Sequence, residues 1–227
     1  MEIRPVAYMR SDFSQKFGIP RQSGLVDALE SRVEFAPEFR RPEALREIEG
    51  FSHLWLIWQF SEALVQDFRP TVRPPRLGGN RRVGVFASRA PYRPNGLGLS
   101  CVRLLRVEEG PVLVVAGADL KDGTPIYDIK PYIPFSDCHP EASPGYTADT
   151  ADHRLAVDFP PALLALVPQC KRQALLGVLA CDPRPGYEEN PDTVYGLAFA
   201  GLDVGFTVKD GRLTVVRVSE EDGTCER

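Results

Sequence analysis

The chain has 227 residues and a formal net charge of −4, so it is long enough for one or two domains and is not basic overall. Its five cysteines lie far apart without a CxxC pair, which argues against a disulfide framework and favours a reducing, cytoplasmic environment. Its three histidines show no zinc-ligand spacing and no apolar run approaches the ~20 residues of a membrane span, so we expect neither a metal site nor a membrane segment.

The first half of the chain alternates short apolar runs with loops rich in proline and glycine. The charged start, MEIRPVAYMR, does not resemble a signal peptide. Pro42 can begin a helix that stops at Gly50, and the almost continuously apolar run that follows predicts a strand buried on both faces. The predicted strands are Ile3–Arg10, Ser31–Ala36, Phe51–Phe60, Arg82–Ser88, Leu99–Val107, Val112–Leu120 and Ile126–Ile129, with a hairpin at EEGP between the fifth and the sixth.

The second half of the chain changes in composition. The stretch Ser136–Asp152 reads as a linker, and Ala162–Ala180 predicts a helix with a stripe of leucine and valine. The tail alternates apolar and polar residues around Asp210 and Gly211, which indicates a second hairpin. The predicted fold is mainly β, with an amino-terminal β-barrel domain over residues 1–140 and a smaller carboxy-terminal α+β domain over residues 153–227.

One segment has an unusual charge distribution. Between Asp67 and Glu108 there is no acidic residue and no lysine, but there are nine arginines. A guanidinium offers a planar fork for phosphates and carboxylates and also stacks on bases. Acidic residues elsewhere could instead neutralise this segment in space, and the charge pattern alone leaves both interpretations open.

Several standard active-site motifs are absent from the sequence. There is no GxSxG nucleophile elbow and no Walker loop. The stretch GLGLSC, residues 96–101, precedes a strand and lacks the third glycine and the helix of a dinucleotide site. A cofactor, if bound, is therefore expected on the loops of a barrel rather than in a Rossmann fold.

Three long blocks carry a more specific signal. The stretches GFSHLWLIWQF, RPTVRPPRLGGNRRVGVFASRAPYRPNGLGLS and DLKDGTPIYDIKPYIPFSD resemble the signature blocks of the tRNA N6-threonylcarbamoyladenosine methyltransferase family, and the later DPRPGY resembles its second-domain motif. The resemblance implies a single-sheet β-barrel that binds S-adenosylmethionine and forms a homodimer with the cofactor near the subunit interface. It also implies methyl transfer to N6 of threonylcarbamoyladenosine at tRNA position 37, in the anticodon stem-loop.

The same resemblance implies a set of cofactor contacts. A guanidinium is disfavoured beside a cationic sulfonium, so Arg89 suits the cofactor carboxylate or a substrate anion better than the methyl end. The turn DLKDGT can hold ribose hydroxyls and an ammonium, although by itself it would read as a simple Asp-Gly turn. At Ser61 and Glu62 the chain departs from the histidine or similar polar residue followed by glutamine that the family resemblance implies, so backbone contacts rather than side-chain contacts are expected there. The cofactor-binding candidates are Ser23, Gly24, Leu25, Ser61, Glu62, Arg89, Leu99, Asp119, Leu120, Lys121, Asp122, Gly123 and Thr124.

The reaction needs a proton acceptor and a means of holding RNA. N6 of threonylcarbamoyladenine is urea-like, so a carboxylate placed to remove its proton would accelerate transfer. The catalytic candidates are Asp122 and Asp128, with Tyr127 as a hydrogen-bonding neighbour.

The candidates for binding the substrate are Tyr92, Arg93 and Asn95, held in a loop that Pro91 and Pro94 stiffen. Arginine can meet a carboxylate or a phosphate, and tyrosine can stack on an unpaired base or simply pack on a proline.

Two other functions remain open at the level of sequence. One is a non-catalytic module that binds S-adenosylmethionine or RNA, and the altered pair Ser61-Glu62 is the feature that keeps it open. The other is an adaptor whose arginine-rich loop meets an acidic protein partner.

Overall fold

The structure is a computed structural model that describes residues 2–61, 68–74, 81–150, 153–184, 190 and 192–221. The strands are β1 Ala7–Arg10, β2 Glu30–Phe35, β3 His53–Gln59, β4 Thr71–Val72, β5 Val83–Gly84, β6 Leu97–Glu108, β7 Val112–Ala116, β8 Pro125–Pro131, β9 Ala156–Asp158, β10 Tyr195–Phe199, β11 Leu202–Lys209 and β12 Arg212–Glu220. The α-helices are α1 Pro134–Asp137, α2 Pro161–Leu164 and α3 Gln169–Ala180.

Six strands close into a single antiparallel barrel in the order β1-β2-β7-β6-β3-β8, with β8 returning to β1. The predicted EEGP hairpin is confirmed, because Glu108 pairs with Val112 at the turn between β6 and β7. Alternate residues of the strands fill the interior; Leu54, Leu56 and Val102 are almost completely buried there. The predicted fold class, a barrel followed by a smaller α+β region, is confirmed.

The carboxy-terminal region packs helix α3 on a four-stranded sheet of order β10-β11-β12-β9. The predicted hairpin at Asp210 and Gly211 is confirmed, since Lys209 pairs with Arg212 across it. Three residues of the loop between β1 and β2, Phe13, Val26 and Leu29, belong to this second core rather than to the barrel core. The predicted domain limits of 1–140 and 153–227 stay a prediction.

The prediction that Phe51–Phe60 is buried on both faces is wrong. In β3 the burial alternates, with Leu54, Leu56 and Trp58 inside the barrel and the residues between them half-buried on its outer face. A strand with an apolar outer face therefore produces the same continuous apolar run as a strand between two layers.

The predicted strand Arg82–Ser88 is also wrong over most of its length. Only β5 is extended, and a 3₁₀ turn follows at Val85–Ala87. The Val85 amide donates to the Pro70 carbonyl and the Ser88 amide to the Val85 carbonyl, so the chain leaves the β4–β5 ribbon in a tight turn.

The two predicted helices are broken by local backbone chemistry. The helix predicted from Pro42 to Gly50 is two 3₁₀ turns, Pro42–Leu45 and Ile48–Gly50, separated by Glu47 with a φ of 67°. The helix predicted over Ala162–Ala180 splits into α2 and α3, because Pro168 has no amide hydrogen to donate and cannot continue a helix. No helix in the described part of the chain is long and apolar enough to cross a membrane.

Candidate active site

A cavity of about 630 Å³ opens at one end of the barrel, within the size range of small-molecule sites. It lies where β3 ends, β6 begins and the β7–β8 loop turns, and the β1–β2 loop covers it. The residues that line it are Lys16, Ile19, Pro20, Arg21, Gln22, Trp58, Gln59, Phe60, Ser61, Ser88, Arg89, Pro91, Arg93, Leu97, Gly98, Leu99, Asp119, Leu120, Lys121 and Thr124.

A hydrogen-bonded chain links three lining elements. The Trp58 indole Nε1 donates to Ser100 Oγ at 2.9 Å, and the Ser100 hydroxyl donates to Asp119 Oδ1 at 2.5 Å. Gly98 lets this indole lie directly on the backbone of β6, because a Cβ there would be 2.4 Å from Trp58 Cε2. The floor of the cavity is thus a fixed aromatic surface joined to a carboxylate.

Asp119 is the only carboxylate among the described residues that line the cavity. Burial raises its pKa above the ordinary value, while the Ser100 hydroxyl, the Ser23 amide and the charge of Arg89 oppose that rise. A partly buried acid with a shifted pKa inside a cavity is typical of a functional site.

Arg89 also lines the cavity. Its Nη1 donates to Gln22 Oε1 at 2.5 Å, so a residue of the β1–β2 loop sets its direction. Its guanidinium forms no ion pair with a carboxylate of the described chain, and it remains available to an anionic ligand. The cavity therefore combines apolar walls, one carboxylate and a rim of arginine and lysine side chains.

Eight of the predicted site residues line this cavity: Ser61, Arg89, Arg93, Leu99, Asp119, Leu120, Lys121 and Thr124. Others lie one layer behind it. Ser23 Oγ accepts from the Cys101 amide, the Gly24 amide donates to the Gly117 carbonyl, and Leu25 packs against the second core. Gly123, Tyr92 and Asn95 lie outside the lining, and Glu62 lies outside the described residues.

The structure does not bring the predicted proton acceptors into the cavity. Asp122 accepts from the Ser11 amide at 3.1 Å and forms an ion pair with Arg10. Asp128 forms an ion pair with Lys130 on the outer surface of the barrel. Tyr127 is closer to the site, because its hydroxyl donates to Oε1 of the lining residue Gln59 at 2.7 Å.

Sequence reasoning missed several lining residues, among them Gln22, Trp58, Gln59 and Phe60. The last three lie in the block GFSHLWLIWQF, which the sequence analysis had quoted for its resemblance but read only as a buried strand. Gln22 precedes the predicted Ser23 by one position, and nothing in its residue type marks it as a contact.

The arginine-rich segment is only partly neutralised. Arg106 pairs with Glu30 and Glu108, each at 2.8 Å. Within the part of the chain that the structure describes, the other arginines of the segment form no ion pair; these are Arg69, Arg73, Arg81, Arg82, Arg89, Arg93 and Arg103, whereas Arg76 lies outside it. Two of these guanidinium groups, those of Arg89 and Arg93, line the cavity.

Comparison with known proteins matches most of the chain to two family models. Residues 8–138 match the family of the tRNA-methyltransferase O N-terminal domain, and residues 152–221 match the TrmO C-terminal domain. The chain belongs to the tRNA-methyltransferase O family.

Its similarity to individual members of the TrmO family extends over almost the full length. It is 37% identical to the tRNA (adenine(37)-N6)-methyltransferase of Escherichia coli, covering 94% of this chain and 96% of that protein. It is 43% identical to a putative S-adenosylmethionine-dependent methyltransferase of Pseudomonas aeruginosa, covering 89% and 90%. A crystal structure of TrmO from that organism superposes with a TM-score of 0.80 at 35% identity, covering 97% of each chain. The family named in the sequence analysis is thereby confirmed.

Proposed function

We propose that this chain transfers a methyl group from S-adenosylmethionine to N6 of adenosine 37 in tRNA, with N6-threonylcarbamoyladenosine as the target nucleoside. The observation that carries the proposal is the cavity at the barrel end, where blocks shared with the TrmO family meet around Asp119 and Arg89. The Escherichia coli relative, which matches nearly the whole chain, is named as a methyltransferase for N6 of adenine 37 in tRNA.

The cavity residues fit S-adenosylmethionine, which supplies an electrophilic methyl group on a sulfonium when bound. The ligand carries an ammonium, hydroxyls and a carboxylate. The Asp119 carboxylate can accept hydrogen bonds from the ammonium and the hydroxyls, and the Arg89 guanidinium can donate two hydrogen bonds to the ligand carboxylate. Trp58, Leu97 and Leu99 provide the apolar wall that an adenine ring needs. The backbone of the 23–25 and 119–124 turns, with Ser61 and Glu62, completes the proposed binding set.

The rim of the cavity suits an anionic nucleoside. Lys16, Arg21, Arg93 and Lys121 line it, and the threonylcarbamoyl group brings a carboxylate that such a rim attracts. The arginines of the neighbouring segment extend the positive surface toward the phosphates of an anticodon stem-loop. Tyr92 and Asn95 flank Arg93 in the same loop and belong to the proposed RNA-binding set.

The lining also bears on how N6 loses its proton. Asp122 and Asp128 form ion pairs with Arg10 and Lys130 and are not among the described residues that line the cavity, so the geometry adds no support to their predicted role as proton acceptors. Tyr127 acts as a positioning residue, since its hydroxyl fixes the Gln59 side chain at the cavity wall. Gln59 can then hydrogen-bond to the polar edge of the target base.

We propose further that the protein acts as a cytoplasmic homodimer. Support for the dimer comes from an apolar outer face of the barrel, where Leu99 lies opposite Ile57 and Cys101 opposite Trp55. Leu99 is 50% exposed. Phe135 is 92% exposed and belongs to α1, the helix whose Asp137 accepts a hydrogen bond from the Trp55 indole. Because Leu99 also lines the cavity, a partner packed on this face would lie next to the bound cofactor. Sedimentation of the purified protein measures this association.

The decisive experiment uses S-adenosylmethionine with a deuterated methyl group and two tRNA substrates that differ only in the threonylcarbamoyl group. Mass spectrometry of the digested nucleosides should show the label on threonylcarbamoyladenosine and none on plain adenosine of the control tRNA. Calorimetry on the same preparation should show cofactor binding. Cofactor binding without transfer to either tRNA would contradict the proposal and favour a non-catalytic module.

A further inference from the structure

Two phenylalanine rings lie stacked on the surface beside the cavity. Phe86 is 71% exposed and Phe68 is 50% exposed, with ring centroids 6.1 Å apart and an interplanar angle of 26°. Large apolar side chains that stay exposed as a contiguous pair are a common mark of a binding surface. Nothing in the proposed methyl-transfer site uses these rings.

The backbone beneath the rings is held firmly. Phe86 sits at the centre of the 3₁₀ turn Val85–Ala87, and the Val85 amide donates to the Pro70 carbonyl at 3.0 Å. The side chains of Val72, in β4, and of Val85, directly after β5, are both buried. The rings are therefore presented by an anchored ribbon, so that binding to them orders little additional chain.

The two rings belong to the arginine-rich segment between Asp67 and Glu108, which contains no acidic residue. The Arg93 guanidinium lies 5.7 Å from the Phe86 ring centroid and also lines the cavity, so the rings adjoin the cavity rim. Arg69 and Arg82 lie just before the two strands of the ribbon and form no ion pair within the described residues. This combination of exposed aromatic faces and unneutralised guanidinium groups matches single-stranded RNA, whose bases stack while its phosphates attract cations.

We propose that the Phe68–Phe86 pair stacks on the base of a nucleotide that directly neighbours the target adenosine in the RNA loop. The proposal rests on the proposed function, because it takes the target adenosine to occupy the cavity. The face of Tyr92, the ring foreseen from the sequence, is partly covered by the Arg69 guanidinium at 4.9 Å from its centroid. Phe86, at 71% exposure, is the more accessible stacking surface, because Tyr92 is half-buried.

The test is a binding measurement on an anticodon stem-loop that carries threonylcarbamoyladenosine. Phe86→Ala should weaken binding by about 5- to 150-fold, the range that loss of one base–aromatic stack produces, while Phe86→Trp should bind at least as tightly as the wild type. The control is Leu166→Ala, which removes a comparably exposed apolar side chain between α2 and α3 and should leave RNA affinity unchanged.

Abasic stem-loops identify the occupant of the rings. One stem-loop lacks the base on the 5′ side of the target adenosine and the other lacks the base on its 3′ side. The RNA that lacks the stacking base should bind to the wild type and to Phe86→Ala with equal affinity. An equal loss on all RNAs, or no loss with Phe86→Ala, would overturn the stacking proposal and indicate a protein or dimer contact instead. Cofactor binding by calorimetry should stay unchanged in Phe86→Ala; a wild type that neither binds nor methylates the RNA would refute the proposed function itself.

Discussion

Ligand binding and burial have opposite effects on the ionisation of Asp119. Its carboxylate is the negative charge that a cationic ligand group needs, yet burial in the apolar end of the barrel disfavours the ionised form. The Ser100 hydroxyl and the Ser23 amide offset part of that cost by donating to the carboxylate. Because the pKa is raised relative to the unfolded chain, the ionised acid lowers stability as pH rises through the folded-state value.

Asp119→Asn should therefore separate binding from stability. Asparagine keeps an acceptor for Ser100 but removes the buried charge, so the midpoint of thermal unfolding at neutral pH should rise relative to the wild type. That gain should shrink as the pH falls toward the range in which the wild-type acid is protonated. Cofactor affinity, measured by calorimetry, should fall about 10- to 100-fold with the loss of a charge-assisted hydrogen bond.

The exposed carboxylate of Asp158 provides the matched control for Asp119. Asp158→Asn should leave cofactor affinity unchanged, because Asp158 lies in β9 and does not line the cavity. Full cofactor affinity in Asp119→Asn would remove Asp119 from the binding set.

The residues of the site show what sequence reasoning can select. Arg89, Leu99 and Asp119 were selected because the quoted blocks carry their family resemblance in long contiguous stretches, and all three line the cavity; their role as cofactor contacts stays a prediction. Gln22 and Gln59 were not selected, since their importance arises from the groups that meet them in space, Arg89 and Tyr127. A single sequence without its fold does not contain those pairings.

The rigid element of the site is the loop that runs from the 3₁₀ turn at Val85 to Arg93. Arg93 Nη1 donates to the carbonyl of Val85 at 3.0 Å and to that of Ser88 at 2.6 Å, so one guanidinium closes the loop on itself. Sequence analysis expected Arg93 to bind the substrate, through a carboxylate or a phosphate. Its two carbonyl contacts give it a second task, because they fix the backbone next to Arg89.

Arg93→Ala should consequently weaken two kinds of binding at once. Both RNA affinity and cofactor affinity should fall about fivefold or more, since hydrogen bonds from a charged donor contribute ~1.5–3 kcal/mol each. Arg93→Lys should restore RNA affinity better than cofactor affinity, because lysine keeps the charge and loses the planar fork.

Arg82 serves as the control for the charge of Arg93. Arg82→Ala should reduce RNA affinity and its salt dependence without altering cofactor binding. If Arg93→Ala leaves cofactor binding intact, the loop-closing role is refuted.

Strand hairpins and helical turns could be predicted from the sequence where neighbouring residues alone determine the backbone conformation. The hairpins at EEGP and at Asp210-Gly211 follow from turn residues between apolar runs, and both are present. The 3₁₀ turns after Pro42 and after β5 were not foreseen, because they depend on a left-handed Glu47 and on a bond to Pro70 from a distant part of the sequence.

At the scale of the whole molecule, the cavity depends on both halves of the chain. The β1–β2 loop supplies Gln22 and Ser23 to the site, and a few residues later it buries Val26 in the carboxy-terminal core. Gly177 of α3 makes this approach possible, since a Cβ there would lie 2.6 Å from Val26 Cγ1. The second core thus holds in place the loop that directs Arg89.

Gly177→Ala tests that dependence directly. In an unobstructed helix, replacing glycine by alanine raises the free energy of unfolding by about 1 kcal/mol. Here the new methyl group clashes with the stiff Val26 side chain, so the free energy of unfolding measured by chemical denaturation should fall by ~1–3 kcal/mol. Cofactor affinity should fall as the loop shifts. The double variant Gly177→Ala/Val26→Ala should recover affinity, since the shortened side chain accommodates the new methyl group. Destabilisation without any loss of affinity would show that α3 does not position the site.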